Sequence, residues 1–125
     1  MKTNMVGWFE IPVSNMDRAT KFYEEVFGVK LYVDQFGPVL MGWFPHDDKK
    51  YGAGGALVYN EDFYKPSSDG SLVYFNSSDC AIEVGKIENA GGYVVQGKTM
   101  ISDEIGYMAL FTDTEGNRVA IHSKN

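Results

Sequence analysis

The chain of 125 residues has a single cysteine, only two histidines and no long apolar run. One cysteine, Cys80, cannot form a disulfide within the chain or supply a paired metal site, which agrees with a reducing compartment. No N-terminal segment joins a basic start to an apolar stretch, and no apolar run approaches the roughly 20 residues that cross a bilayer. We therefore expect a cytoplasmic protein with no membrane partner.

Basic charge is also scarce, since 11 Lys and Arg stand against 17 Asp and Glu and give a net charge of −6. No block of Lys or Arg is available to follow a phosphate backbone, so nucleic acid is not an expected partner. The chain is 44% hydrophobic and 14% aromatic, which is enough to build one buried core. We expect a single domain spanning 1–125.

The first half of the chain begins with a strand, predicted from Met5 to Val13, and continues with an amphipathic helix. Residues 14–17 supply capping side chains, and Gly28 is a typical helix terminator. Apolar residues recur at helical spacing between them: Ala19, Phe22, Tyr23, Val26 and Phe27. Three further strands are predicted at 29–35, 39–44 and 53–59, separated by turn residues.

The second half repeats this order of elements. A strand at 71–76 is followed by capping residues 77–79, and Gly91-Gly92 marks the end of a second helix. The helix has apolar residues three or four apart: Ala81, Ile82, Val84, Ile87 and Ala90. Strands are then expected at 93–99, 107–112 and 118–122. The sequence therefore predicts an α+β fold of two βαβββ modules, at about 5–59 and 71–123.

Four segments resemble one known family: WFEIPV, SNMDRATKFYEEVFG, IENAGGYVV and FTDTEGNRVAIHS. Together they are similar to the vicinal oxygen chelate superfamily, which includes glyoxalase I, bleomycin-resistance proteins, fosfomycin-resistance enzymes and extradiol dioxygenases. The resemblance is strongest to the branch of small proteins related to lactoylglutathione lyase. It implies that each βαβββ module forms a half-barrel and that two half-barrels, often from different chains of a homodimer, enclose a cavity.

Alternation along the strands then assigns side chains to two faces. One set is expected to pack under the helices: Phe9, Ile11, Val13, Val73, Phe75, Val119 and Ile121. The other set is expected to face the cavity: Trp8, Glu10, Ala56, Val58, Leu72, Tyr74, Ala120 and His122.

Metal-dependent members of the family take ligands from the first and last strand of each module. By resemblance those positions correspond here to Trp8, Ala56, Leu72 and Ala120, none of which can hold a metal ion. We therefore predict no metal cofactor. His46, in the predicted loop 45–50, is expected to be solvated.

Glu10 and His122 are the tentative catalytic residues, as general base and general acid in a cavity without metal. The alternatives are a structural hydrogen-bonded pair, two groups exposed at the rim, or two groups that only orient a ligand. A displaced site for a divalent metal ion, with a third donor from the partner chain or the substrate, is a further alternative.

Aromatic side chains suited to stacking a ligand are Trp8, Trp43, Tyr74 and Phe63, and core packing is the alternative role for each. Phe63 belongs to an aromatic loop that would serve either as a lid or as an outer connector.

We predict a homodimer that binds a small aromatic or amphipathic organic ligand. It would act as a binding or sequestering protein or as a metal-independent isomerase or lyase. The alternatives are a metal-dependent lyase or dioxygenase, and a protein-contact domain with a filled cavity.

Overall fold

The structure is a computed structural model that describes residues 2–125; Met1, the first residue of the predicted domain, lies outside them. The described chain forms two helices and eight strands. In chain order these are β1 Trp8–Pro12, α1 Met16–Phe27, β2 Tyr32–Phe36, β3 Val39–Trp43, β4 Gly54–Tyr59, β5 Tyr74–Asn76, α2 Cys80–Ile87, β6 Tyr93–Ser102, β7 Gly106–Thr112 and β8 Arg118–Ser123. The predicted α+β fold with βαβββ order repeated twice is confirmed.

The strands form two sheets of identical topology, β1-β4-β3-β2 and β5-β8-β7-β6. In each sheet the first strand pairs in parallel with the last, and the other pairs are antiparallel. A parallel partner for the first strand requires a crossover connection, and α1 and α2 lie in those two connections. None of the helices in residues 2–125 is long and apolar enough to span a membrane.

Helix α1 begins and ends where the capping residues predict. The Asn15 side chain accepts a hydrogen bond from the backbone N–H of Arg18 at 3.0 Å. Gly28 takes the left-handed conformation at φ 65° and donates its N–H to the carbonyl of Glu24. Helix α2 is capped by Asp79 but ends at Ile87, earlier than predicted, because the chain leaves the helix in a series of turns before Gly92.

Several predicted strand ends are wrong by one to three residues. β1 begins at Trp8 rather than Met5, because its partner β4 begins at Gly54, the residue opposite Trp8. Strands β2 and β5 also begin later than predicted, at Tyr32 and Tyr74. β6 instead runs on to Ser102, because β7 pairs with it along that length across several irregularities. Strand ends depend on the partner strand, and the residues of a single strand do not record where that partner starts.

One hydrophobic core lies between the helices and both sheets. Its largest fully buried side chains include Phe22, Tyr23, Phe111 and Leu57, which come from both modules. Most of the side chains predicted to pack under the helices belong to this core or pack against it: Phe9, Ile11, Val13, Phe75, Val119 and Ile121. Both modules therefore share a single core.

The turn between β7 and β8 joins the two modules through a buried polar network. Asp113 accepts the hydroxyl hydrogen of Tyr23, with an O–O distance of 2.6 Å, and the backbone N–H of Asn117. The Asn117 side chain donates to the Pro12 carbonyl on β1 at 2.7 Å. Burial, and then the charge of Asp113, raise the pKa of Tyr23 well above its ordinary value. FTDTEGNRVAIHS, one of the four segments that carry the family resemblance, thus has a structural role.

Glu115, in the same turn, binds the backbone N–H groups that precede α1. Its fully buried carboxylate accepts the backbone N–H groups of Ser14 and Asn15, both at 2.8 Å, and Arg18 Nε at 2.8 Å. Burial opposes the charged form, but hydrogen bonds from Arg18, Thr114 and these amides outweigh it and hold the pKa of the Glu115 carboxyl below its usual value.

We expect Glu115→Gln to lower the free energy of unfolding by about 1–2 kcal/mol at pH 7, since the amide group is a weaker acceptor for these donors. The guanidinium of Arg18 is 51% exposed, so the ion pair itself contributes little. Because the folded-state pKa is depressed, this stabilisation is present above the ordinary pKa of 4.5 and is lost as the pH falls through the folded-state pKa.

Urea unfolding of wild type and variant at pH 7 and pH 3 checks this expectation. The difference between the two proteins should shrink at pH 3. Glu25→Gln, an exposed position on α1, is the matched control and should change stability little at either pH. An equal loss of stability at both pH values would show that the charge of Glu115 does not matter.

Candidate functional site

The face of each sheet turned away from the helices is called here the open face. In the first sheet, strand register places Glu10 beside Ala56 and Ala56 beside Trp43, and alternation adds Trp8. In the second sheet it includes Tyr74, Ala120 and His122. The register keeps Glu10 with Ala56, and Tyr74 with Ala120, on one side as alternation predicts, and it adds Trp43, whose side the sequence did not predict.

Glu10 lies at the centre of a small polar group on the open face. Its Oε2 accepts the indole N–H of Trp8 at 3.2 Å, and its Oε1 accepts the hydroxyl of Tyr64 at 3.0 Å. The hydrogen bond to Glu10, and then the carboxylate's charge, raise the pKa of Tyr64 above its ordinary value. The side chain of Glu10 remains exposed, so it holds two aromatic residues in place and still offers acceptor capacity outward.

Trp8, Trp43 and Phe36 form a continuous aromatic surface on the open face. The rings of Trp8 and Trp43 meet edge to face with their centroids 5.1 Å apart, and Phe36 stacks on Trp43 at 5.4 Å. Trp8 is 40% exposed, Trp43 39% and Phe36 38%. Large aromatic side chains that stay this exposed while packing on one another present a flat apolar surface to a partner or ligand.

His46 lies against this surface, and the prediction that it is solvated in its loop is only partly right. A Cβ added to Gly54 would come within 3.1 Å of the His46 ring and 3.3 Å of Trp8, so both rings cover Gly54. The imidazole is 37% exposed, and its Nε2 lies 3.0 Å from Asp48. The glycine opposite Trp8 leaves the space that the histidine ring occupies.

His122 has a different partner from Glu10. Its Nε2 lies 2.6 Å from the carbonyl oxygen of Ile105, and because a carbonyl only accepts, Nε2 carries the proton. On β8 it sits between Asn76 of β5 and Met108 of β7. No hydrogen bond joins Glu10 to His122 among residues 2–125. The catalytic roles assigned to both from sequence stay predictions.

The two other predicted ligand contacts are exposed. Tyr74 pairs with Ala120 on the open face of the second sheet and is 48% exposed. Phe63 is 76% exposed and lies in the turn after β4. Its neighbour Tyr64, rather than Phe63, contacts Glu10. The aromatic loop is therefore held at the site by the hydrogen bond of a residue that was not predicted to bind ligand.

A divalent metal ion does not fit the ligand positions that the resemblance indicates. Trp8, Ala56, Leu72 and Ala120 offer an indole N–H and three hydrocarbon side chains, none of which donates electrons to a metal. Ala56 and Ala120 are fully buried within their strands. Across the described chain no three side chains of His, Cys, Asp or Glu come together as a metal site.

Besides Phe36 on β2, sequence reasoning missed Tyr64 and His46 as site residues. Both lie outside the strands, where alternation predicts no direction for a side chain. For His46 the available signal was the glycine-rich segment Gly52-Ala53-Gly54-Gly55, and for Tyr64 there was none beyond its place in an aromatic loop.

Similar proteins have been described. Residues 5–121 match the Glyoxalase/Bleomycin resistance protein/Dioxygenase superfamily. A protein of Didymella fabae described as a glyoxylase-like domain-containing protein is 26% identical over 119 residues, covering 93% of this chain and 91% of that one.

Two solved structures share the fold. A mutant of glyoxalase I from Zea mays superposes with a TM-score of 0.70 at 17% identity over 94% of this chain, which spans about half, 46%, of the maize chain. TnmS3 from Streptomyces sp. CB03234, described as an antibiotic binding protein, superposes with a TM-score of 0.68 at 24% identity. That match covers 100% of this chain and 99% of TnmS3.

Proposed function

Because the chain belongs to the glyoxalase/bleomycin resistance protein/dioxygenase superfamily, we propose that it is a binding protein for a flat, largely apolar small molecule. The ligand stacks on the aromatic surface of Trp8, Trp43 and Phe36, and Glu10 accepts a hydrogen bond from a hydroxyl or amine group of the ligand. The observation that carries the proposal is this exposed aromatic surface with a single carboxylate at its edge.

The energetics favour such a ligand. Stacking on an exposed indole removes apolar area from water at about 25 cal/mol per Å², and aromatic pairs add about 0.5–1.5 kcal/mol. Glu10 orients the bound ligand, because Trp8 and Tyr64 hold the two carboxylate oxygens of Glu10 in fixed positions. A few fixed polar groups in an apolar site are the usual arrangement for specific binding of small molecules. TnmS3, described as an antibiotic binding protein, has the same fold and gives a parallel for ligand binding.

Binding rather than catalysis is proposed because, within residues 2–125, the predicted acid and the predicted base do not contact each other. His122, the predicted acid, donates its Nε2 hydrogen to a backbone carbonyl instead. We also propose a homodimer in which a partner chain covers the open face, since Trp8, Trp43 and Tyr74 are 39% to 48% exposed in a single chain.

The test uses 2-naphthol, a flat probe with one hydroxyl, and cyclohexanol as the non-aromatic control. The chain has two tryptophans, and both lie in the aromatic surface, so intrinsic tryptophan fluorescence reports on this site alone. Titration should show saturable binding of 2-naphthol to wild type, none of cyclohexanol, and loss of binding in Trp8→Ala. Tyr51→Ala removes an aromatic side chain that is 87% exposed outside the surface and should bind normally.

We expect Glu10→Gln to weaken 2-naphthol binding roughly tenfold, because a charged acceptor becomes a neutral one. The free energy of unfolding should change by only about 0.5 kcal/mol, since the side chain is exposed. Calorimetric titration and urea unfolding measure the two quantities. A loss of several kcal/mol in stability, with unchanged affinity, would instead make Glu10 a structural residue.

A further inference from the structure

A pocket lies beside Glu10, at the seam between β1 of the first module and the chain around the start of β5 and β8. This seam pocket has a volume of about 170 Å³. Its polar lining consists of Glu10, Lys65, Ser67, Ser71, Asn117 and Arg118. No residue of the aromatic surface lines it, but Glu10 lines the pocket and also accepts the indole N–H of Trp8, so the pocket and the aromatic surface lie on either side of one carboxylate.

The walls of the seam pocket are fixed by hydrogen bonds between three separate segments. The backbone N–H of Ser67 donates to the Asn117 side chain at 3.0 Å, and Asn117 in turn donates to the Pro12 carbonyl on β1. On the other side, Tyr64 ties the connecting loop to Glu10. A pocket whose walls are already held in place loses little entropy when a ligand enters.

The charges lining the pocket favour an anion. Arg118 and Lys65 are two cations in a chain whose net charge is −6, and the Lys65 ammonium also donates to the carbonyl oxygen of Glu61. Arg118 forms no ion pair with any carboxylate of residues 2–125, whereas Arg18, the only other arginine, is paired with Glu115. A guanidinium without an anionic partner presents a planar fork of donors that matches the two oxygens of a carboxylate.

Glu10 is the one carboxylate in the pocket lining, and it limits which anion fits. Both of its oxygens already accept hydrogen bonds from Trp8 and Tyr64, which partly offset its charge. A singly charged carboxylate that reaches Arg118 meets less repulsion from Glu10 than a doubly charged phosphate would. The volume is also too small for a whole ring system, since sites for drug-sized ligands are typically some 300–1,000 Å³.

From this geometry we infer that the seam pocket binds the carboxylate of an aromatic acid through Arg118 and Lys65, while the aromatic ring lies on the aromatic surface. The inference rests on the proposed function, because the aromatic surface supplies the second half of the site. It narrows the ligand class to aromatic compounds that carry a carboxylate on a short arm.

The test compares 2-naphthylacetate with 2-naphthylacetamide, which has the same shape and no charge. By calorimetric titration at pH 7 and low salt, wild type should bind the acid roughly tenfold more tightly than the amide. Arg118→Gln should abolish that preference, because the affinity for the acid falls to about the affinity for the amide. Lys21→Gln, an exposed cation on α1, is the matched control and should keep the preference. 2-Naphthyl phosphate should bind more weakly than the acid.

A second measurement separates this inference from the proposed function. Acetate and acetamide carry no ring, and NMR titration of the backbone amides of Ser67 and Ser71 follows the pocket alone. Shifts caused by acetate but not acetamide, and absent in Arg118→Gln, support the pocket even if no naphthyl compound binds. Equal binding of the naphthyl acid and amide, or no acetate shifts in wild type, overturns the inference. Circular dichroism verifies that Arg118→Gln is folded.

Discussion

Asp113→Ala is expected to lower the free energy of unfolding by about 3–5 kcal/mol, the largest effect among single substitutions in the polar groups of this protein. Asp113 is 4% exposed and accepts hydrogen bonds from the Tyr23 hydroxyl, the backbone N–H groups of Glu115 and Asn117, and the Asn117 side chain. Alanine removes the acceptor and leaves these donors buried. Each donor that finds no water in its place lowers the free energy of unfolding by about 1–3 kcal/mol. Because the network joins α1, β1 and the β7–β8 turn, both modules should lose stability together.

Urea unfolding followed by circular dichroism measures this loss. Tyr23→Phe removes only one donor and should cost about 1–2 kcal/mol, which keeps the expectation testable if Asp113→Ala does not fold. Asp103→Ala, in the exposed turn before β7, is the control and should change stability by about 0.5 kcal/mol or less. A loss below about 1 kcal/mol in Asp113→Ala would mean that the network contributes little.

Gly106→Ala is expected to be the most damaging small substitution in the backbone, with a loss of roughly 3 kcal/mol or more. Gly106 has φ +103°, a conformation that residues with a Cβ rarely adopt. An added Cβ would also collide with the carbonyl oxygen of Ser123 and with Lys124 Cα. Both obstacles are backbone atoms at the end of β8, so relief requires a shift of the strand rather than a side-chain rotation.

The same substitution should disturb His122. Its Nε2 hydrogen is donated to Ile105, the residue before Gly106, so a displaced turn removes that hydrogen bond. NMR of the imidazole nitrogens should report a changed tautomer population together with the lower stability. Gly97→Ala is the matched control, because an added Cβ there meets nothing within 4 Å. Unchanged stability in Gly106→Ala would contradict the strain argument.

The helices and the two-module order were readable from sequence because their signals are local. Asn15 and Gly28 satisfy the orphan backbone groups of α1 wherever that helix is placed, and its apolar spacing selects the buried face. Alternation likewise assigned Ile11 and Glu10 to opposite faces of β1 before any partner strand was known. Strand lengths were less accurate, because the pairing partner decides them.

The candidate site was only partly predictable. Glu10 and Trp8 were found because alternation along β1 assigns both to the face away from the core. Their actual partners, Tyr64 and His46, come from loops, and no periodic rule gives the direction of a loop side chain. Arg118 drew no attention in the sequence, since a lone surface arginine is ordinary until a cavity with a shared carboxylate is seen beside it.

The sequence by itself determined the βαβββ repeat and the buried faces of both helices, because each follows from residue type and spacing along the chain. The residues at the metal-ligand positions were identified by the resemblance to the family. Only the tertiary structure decided that Glu10 contacts Trp8 and Tyr64 rather than His122, that the β7–β8 turn fastens α1, and that Arg118 shares a pocket with Glu10. Except for the contact between Trp8 and Glu10, these contacts join residues that are 50 to more than 100 positions apart in the chain. Their formation therefore depends on how the two sheets pack around one core.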